Sequence, residues 1–344
     1  MIPGRVIVTG GAGFIGSEVV RQALERWPDT QVVTVDALTY AGHRSNLEGA
    51  DGNPRHRFVE ADIRDAVAMD ALVGEVKPDA LVHLAAESHV DRSIEASTVF
   101  LETNVVGTGV LLEAARRHGV RRFLHVSTDE VYGDVPEPHL SRPEDPLLPR
   151  SPYAASKAAS DLLARSHFTT HGLGVVITRG CNTYGPYQFP EKLLPLAITN
   201  LLLGEPVPVY GDGRQVREWI HVTDHARGIL MAVESGVDGE IYPMASGERL
   251  ANEDILMKVL ALMGRDASVL RRVADRPGHD RRYAMDPEPS RAALGFTPVL
   301  SLQAGLEATV AWYRDHRAWW EERRSGSYAD YYRRQVAQRA GWQG

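Results

Sequence analysis

Short apolar runs recur through the first half of the chain, each closed off by charge, glycine or proline, and helical spacing fills the intervals between them. Arg5-Val6-Ile7-Val8-Thr9, Gln31-Val32-Val33-Thr34-Val35, Arg57-Phe58-Val59, Ala80-Leu81-Val82-His83-Leu84, Phe123-Leu124-His125-Val126 and Gly174-Val175-Val176-Ile177-Thr178-Arg179 read as buried strands. Helical patterns run from Glu18 to Trp27, Thr98 to His118 and Pro152 to Phe168. Strands alternating with helices predict an α/β fold, a parallel sheet joined by right-handed crossovers. After Arg179 the pattern loosens, and Gly and Pro punctuate Asn182–Tyr187 and Val207–Gly213. A helix from Asn252 to Met263, a polar loop from Asp275 to Arg282 and a packed helix pair in the Trp-, Tyr- and Arg-rich tail from Trp312 complete the expected second portion.

The Thr98–His118 segment has apolar residues on more than one side, whereas a surface helix needs a single stripe. One face would cover the sheet and the other a second copy of the chain. The alanine- and leucine-rich segment after Tyr153 could do the same, so a homodimer is expected. Asn104, a poor helix former in mid-helix, either answers a buried backbone group near Lys157 or is simply solvated.

Two spacings carry candidate chemistry. Gly10-x-x-Gly13-x-x-Gly16 lies between the first strand and the first helix, where a tight turn aims backbone N–H groups at a pyrophosphate. Asp36 ends the second strand, where a carboxylate takes ribose hydroxyls and repels a 2′-phosphate, favouring NAD over NADP. Asp62 and Glu87-Ser88-His89 end further strands on the edge where ligands bind, although Asp62 could equally cap a helix. The second spacing is Tyr153-x-x-x-Lys157 behind an N-cap, Ser151, and a first-turn proline, Pro152. Tyrosine and lysine four apart share a helix face, and an ammonium beside a phenol is expected to lower the phenol's pKa into the range of a usable base. Thr128-Asp129-Glu130, at the end of the fifth strand, adds a hydroxyl and an acid pair. The fold expected is thus a Rossmann-type doubly wound sheet with a smaller C-terminal substrate-binding domain. Residues 1–180 would form the NAD-binding domain, with 218–236 returning to it, and 181–217 and 237–344 would form the remainder.

Composition narrows the partners. A net charge of −7 disfavours nucleic acid and anionic membrane, and no apolar run nears the ~20 residues of a membrane span. A strand pattern already begun at Arg5 leaves no room for a signal peptide. Lone Cys181 allows neither an internal disulfide nor a thiolate cluster and suits a reducing cytoplasm. No metal is expected: His221 and His225 have helical spacing but no third ligand nearby. Only four of the 38 basic residues are lysine, and two of those, Lys157 and Lys192, fall in motifs. Seven arginines against four acids after residue 310 leave the tail little net charge for nucleic acid.

Taken together, the glycine turn, Tyr153-x-x-x-Lys157, Ala85-Ala86-Glu87-Ser88-His89-Val90-Asp91-Arg92-Ser93, Ser127 to Gly133, Tyr184-Gly185-Pro186-Tyr187 running on to Leu193, Asp275 to Asp280 and Gly326-Ser327-Tyr328 resemble the dTDP-glucose 4,6-dehydratase family of extended short-chain dehydrogenases. The resemblance implies that Tyr153, helped by Thr128 and Lys157, takes the proton of a sugar 4-hydroxyl while hydride passes to NAD. Glu130 would then remove the C5 proton, Asp129 would protonate the departing 6-hydroxyl, and hydride would return to C6. It further implies that Gly10, Gly13, Phe14, Ile15, Gly16, Asp36, Ala37, Leu38, Thr39, Asp62, Ile63, Leu84, Ala85, Ala86, Ser88 and Thr103, with Tyr153 and Lys157, line tightly bound NAD. His89, Thr128, Asn182, Glu191, Lys192, Leu193, Pro208, Tyr210, Arg217, Asn252, Arg276 and His279 would hold the nucleotide sugar. Two positions depart from the family: Thr183 stands where a second asparagine is usual, and Ala154 where serine is common. A 4-epimerase of the same fold shares Tyr153, Lys157 and NAD but has no use for Asp129-Glu130; a non-catalytic NAD-binding regulator would need none of the four. The choice between thymidine and uridine, and the downstream deoxysugar (rhamnose or another), stay open.

Overall fold

The computed structural model describes residues 1–325. Its strands are β1 (Arg5–Thr9), β2 (Gln31–Asp36), β3 (His56–Glu60), β4 (Ala80–His83), β5 (Arg122–Thr128), β6 (Val175–Gly180), β7 (Asn182–Tyr184), β8 (Val207–Tyr210), β9 (Val216–His221), β10 (Ile241–Met244), β11 (Arg249–Ala251) and β12 (Leu270–Val273). Seven form one parallel sheet in the order β10-β6-β5-β4-β1-β2-β3. The order reverses between β1 and β4, which opens a crevice at the carboxyl ends of the strands. Successive residues point to opposite faces, and two cores result. Val6, Val8, Leu124 and Val126 pack under the Phe14–Arg26 and Val222–Ser235 helices, with Ile229, Leu230 and Val233. Ile7, Leu81 and Phe123 face Leu111 and Leu112 on the other side. The predicted doubly wound sheet is therefore present.

A third core, built on Tyr184, Leu194, Ile198, Ile255, Leu306 and Trp320, organises the smaller part around the β11-β9-β7 sheet and the β12-β8 pair. The expected boundaries shift in two places. Residues 218–221 belong to β9 of the small sheet, and only the helix after them, Val222–Ser235, returns to the large one. Conversely Ile241–Met244, assigned to the second portion, pairs with β6 as the last strand of the large sheet. Pro243 disguised it, since a proline argues against a central strand; at a sheet edge its missing N–H is tolerated.

Three local differences matter for the site. The expected continuous Thr98–His118 helix is Ser97–Leu101 and Thr108–Arg117 joined by a π-helical turn, Glu102–Gly107. Asn104 sits in that turn, and its side chain accepts from the Glu87 N–H (2.8 Å) while donating to the Glu87 carbonyl (3.0 Å) and to Ser156 Oγ (2.8 Å). It answers a buried backbone, and so locks the β4 exit loop to the helix that begins at Pro152. His221 is the N-cap of the next helix rather than a member of it, so it and His225 share no helical face. The tail helices are Leu302–Asp315 and Arg317–Arg323, where Trp312 stacks on His316 with centroids 4.4 Å apart. Gly326-Ser327-Tyr328 lies outside the described residues. Among the described residues no helix is long and apolar enough to cross a membrane.

Replacing Asn104 by alanine strips partners from both Glu87 backbone groups. The expected cost is about 1–3 kcal/mol of stability in urea unfolding, against a few tenths for an exposed control such as Lys258→Ala.

Candidate active site

The glycine turn after β1 is shaped by close approach. Gly10 has φ +70°, and a Cβ there would lie 2.6 Å from the Ala85 nitrogen; one on Gly16 would lie 2.1 Å from the Gly10 carbonyl. The Phe14–Arg26 helix therefore starts hard against the strand ends with no side-chain cap, which leaves its N–H groups facing the crevice. Asp36 at the tip of β2 accepts from the Ala12 N–H (3.0 Å) and the Leu38 N–H (2.9 Å). Burial pushes its pKa up and those two bonds oppose the rise. A cavity of about 460 Å³ runs from this turn to Tyr153 and Lys157. It is lined by every residue expected to touch the cofactor except Leu38. Leu38 is held at φ +48° with its N–H on Asp36, and its side chain packs into the core beneath. Asp62 lines the cavity and pairs with Arg64 (2.6 Å), while Asp65 caps the following helix by accepting from Val67 and Ala68 (both 3.0 Å).

Ser151 caps the Pro152–His171 helix through the Ala154 N–H at 3.1 Å, as its sequence signature predicts. That start aims Tyr153 into the cavity beside the end of β5. Lys157 is buried and donates to the Val126 carbonyl at 2.8 Å. Burial lowers its pKa to about 8, with Asp161 one turn on opposing the fall. Asp161 is itself buried against Arg179 (3.0 Å) and His125 (3.3 Å), and Arg179 reaches the Tyr132 hydroxyl (2.6 Å). This charged layer under the lysine was not expected from sequence.

The expected fall in the Tyr153 pKa is not what the chain alone produces. Burial raises it, Glu130 and Asp129 raise it further, and a hydrogen bond from Thr128 offsets only part. Desolvation is the largest of these influences.

The acid pair is unequal. Asp129 is pushed well above the ordinary carboxyl range, first by burial and then by Glu130. One of its oxygens faces Thr128 Oγ1 at 3.2 Å, and the other is buried without a protein partner. Glu130 is raised by burial but held down by Arg276, Arg217 and Lys192. Of the two, Asp129 is therefore the more readily protonated and Glu130 the more readily ionised.

A second cavity, about 200 Å³, adjoins the first and shares Glu130, Asn182, Glu191 and Lys192 with it. His89, Leu193, Pro208, Tyr210, Arg217, Asn252, Arg276 and His279 also line it, so apart from Thr128, which lines the first, all the expected substrate residues converge here. Lys192 donates to the Ser88 carbonyl (2.8 Å), Tyr210 to Asp91 (3.0 Å), and His279 pairs with Asp275 (2.6 Å). Glu191, desolvated between the cavities, rises to about 7. Sequence reasoning missed Tyr40, Gln188, Phe189, Trp219 and His225 as lining residues. They come from loops, from β9 and from a helix N-terminus, whose spacing carries no signal. At the departure from the family pattern, the Thr183 hydroxyl donates to the Cys181 carbonyl (3.1 Å) and meets His225 Nδ1 at 2.8 Å.

An NAD-shaped crevice, a tyrosine–lysine pair and an acid pair at the junction with a polar pocket define a nucleotide-sugar dehydratase class, and the chain belongs to the family described as GDP-mannose 4,6 dehydratase, which it matches over residues 7–309. Relatives named dTDP-glucose 4,6-dehydratase include those of Streptomyces niveus, 50% identical over 93% of this chain and 96% of the relative, and Streptomyces griseus, 52% identical over 92% and 96%. A Streptomyces venezuelae dTDP-glucose 4,6-dehydratase solved with NAD superposes with a TM-score of 0.90 at 53% identity, covering 93% of this chain and 99% of that one. A Thermus thermophilus UDP-glucose 4-epimerase solved with NAD is more distant, at 33% identity and a TM-score of 0.84 over 91% and 99%.

Asp161→Ala leaves Arg179 charged and buried. A loss of about 3–5 kcal/mol is expected in denaturant unfolding, against little or none for breaking the exposed Arg57–Glu75 pair.

Proposed function

We propose that the protein converts dTDP-glucose to dTDP-4-keto-6-deoxyglucose and water, with NAD held through the cycle. The observation that carries this reading is the split between Asp129 and Glu130 at the point where the two cavities meet. The glycine cradle fits a dinucleotide: the Gly10 and Gly16 positions tolerate no Cβ, and Asp36 is set for ribose hydroxyls. The sheet-bearing part of the chain would hold NAD and the smaller part the nucleotide sugar.

When bound, NAD⁺ supplies the hydride acceptor at C4, a positive ring charge that offsets the burial of a phenolate, and the hydride later returned to C6. Tyr153 takes the 4-hydroxyl proton, with Thr128 positioned to orient that hydroxyl. Lys157, fixed by Val126, holds a positive charge behind the tyrosine. Once C4 is a ketone the C5 hydrogen is acidic, and Glu130, whose ionised form Arg276, Arg217 and Lys192 favour, removes it. Asp129 delivers its proton to the 6-hydroxyl, which leaves as water. Arginines 217 and 276 suit a diphosphate, and Tyr210 can stack on the base. An epimerase shuttles hydride at C4 alone and gives Asp129 and Glu130 no work, which is why dehydration is preferred.

The assembly we favour is a two-fold dimer sealed by the helices that carry Leu101, Val106 and Leu162, which are 49%, 56% and 59% exposed in the single chain. A buried free Cys181 suits a cytoplasmic protein.

The test is incubation with dTDP-glucose without added NAD or NADH. A 4-keto product formed with no net change in NADH absorbance is expected, and faster than from UDP-glucose. A dTDP-galactose product would assign the protein to the epimerases instead. Asp36→Ala should purify with less NAD and discriminate less against NADP⁺, read by nucleotide release and fluorescence titration.

A further inference from the structure

Away from both cavities, Glu113 of the Thr108–Arg117 helix meets His167 and His171, one turn apart on the Pro152–His171 helix. His167 is buried, and its Nδ1 lies 3.0 Å from the Leu163 carbonyl. A carbonyl can only accept, so Nδ1 carries the proton and points it there. In the neutral ring, Nε2 is then a bare lone pair, yet it faces a Glu113 carboxylate oxygen at 3.1 Å. Two acceptors held face to face call for a cation between them. The His171 ring stands edge-on to His167 with centroids 5.3 Å apart, and the three donor atoms lie within 4.8 Å of one another. Side-chain rotation closes that spread to the ~3 Å edges of a tetrahedron whose ligands sit about 2 Å from the metal. His171 is also the last helical residue, so the site lies at the negative end of the helix dipole. The other Glu113 oxygen is taken by Arg116 at 2.8 Å, which leaves one carboxylate oxygen for the ion.

We propose that Glu113, His167 and His171 form a site for a divalent borderline transition metal such as Zn²⁺, with solvent completing the shell. Two imidazoles and one carboxylate select Zn²⁺ or Cu²⁺ over Mg²⁺ or Ca²⁺, which prefer all-oxygen shells. The ion ties together the two helices that carry Thr108 and Tyr153. Helical spacing alone hides the site, because its third donor comes from another helix.

The test uses untagged full-length protein, with Zn²⁺ titrated by calorimetry and Cu²⁺ read by electron paramagnetic resonance. Saturable binding of one ion per chain is expected, with two-nitrogen hyperfine structure for Cu²⁺ and a rise in the unfolding midpoint with Zn²⁺. His171→Ala, at an exposed position, should weaken binding at least about tenfold, as should Glu113→Gln, while dTDP-glucose turnover stays at the parent rate. No saturable uptake would mean that a proton, as an imidazolium–carboxylate pair, is the cation, and the proposal would fail. It would fail equally if uptake were undiminished in both variants.

Discussion

Two neighbouring carboxyls buried in one pocket cannot both ionise cheaply, and the chain resolves that conflict by treating them differently. Asp129 is pushed well above the ordinary carboxyl range by burial and by its neighbour, which favours its protonated form. Glu130 is raised by burial too, but Arg276, Arg217 and Lys192 oppose that rise. Both come from a short 3₁₀ turn at the end of β5, started by Thr128 accepting from the Glu130 N–H at 3.2 Å. One tight turn at a strand end thus places an acid, a base and a hydroxyl together, and the rest of the fold holds that turn still.

The support comes from two directions. Beneath the turn, Lys157 anchors to Val126, while Asp161, Arg179 and Tyr132 form a compensated charged layer in the core. Beside it, Asn104 fixes the exit of β4 to the Tyr153 helix through Glu87 and Ser156. The cations that hold Glu130 down arrive from the smaller part of the chain, at Lys192, β9 and the 275–280 loop. Those three cations reach Glu130 only when both parts of the fold are in place.

Much of this was legible in the sequence because it is local. The glycine turn, Asp36, the Ser151-Pro152 helix start and the Tyr153–Lys157 spacing are fixed by neighbours in the chain, and each stands where its pattern placed it. What escaped depended on distant groups. Pro243 hid an edge strand whose partner, β6, lies far away in sequence. Asn104 broke an otherwise good helical pattern because its partner, Glu87, is on another element. The Tyr153 shift came out opposite in sign because periodicity reports the nearby lysine but neither the burial nor the two carboxylates facing the ring. Leu38 followed the family pattern yet turned its side chain into the core.

The central claim is that Glu130 is the base for C5 and Asp129 the acid for the 6-hydroxyl, after Tyr153 has begun the cycle. A single turnover of Glu130→Gln with dTDP-glucose tests it most directly. The account predicts that NADH absorbance rises and persists, because oxidation at C4 proceeds while elimination stalls, with overall turnover down about 100-fold or more. Turnover at the parent rate, with no lasting NADH, would contradict it.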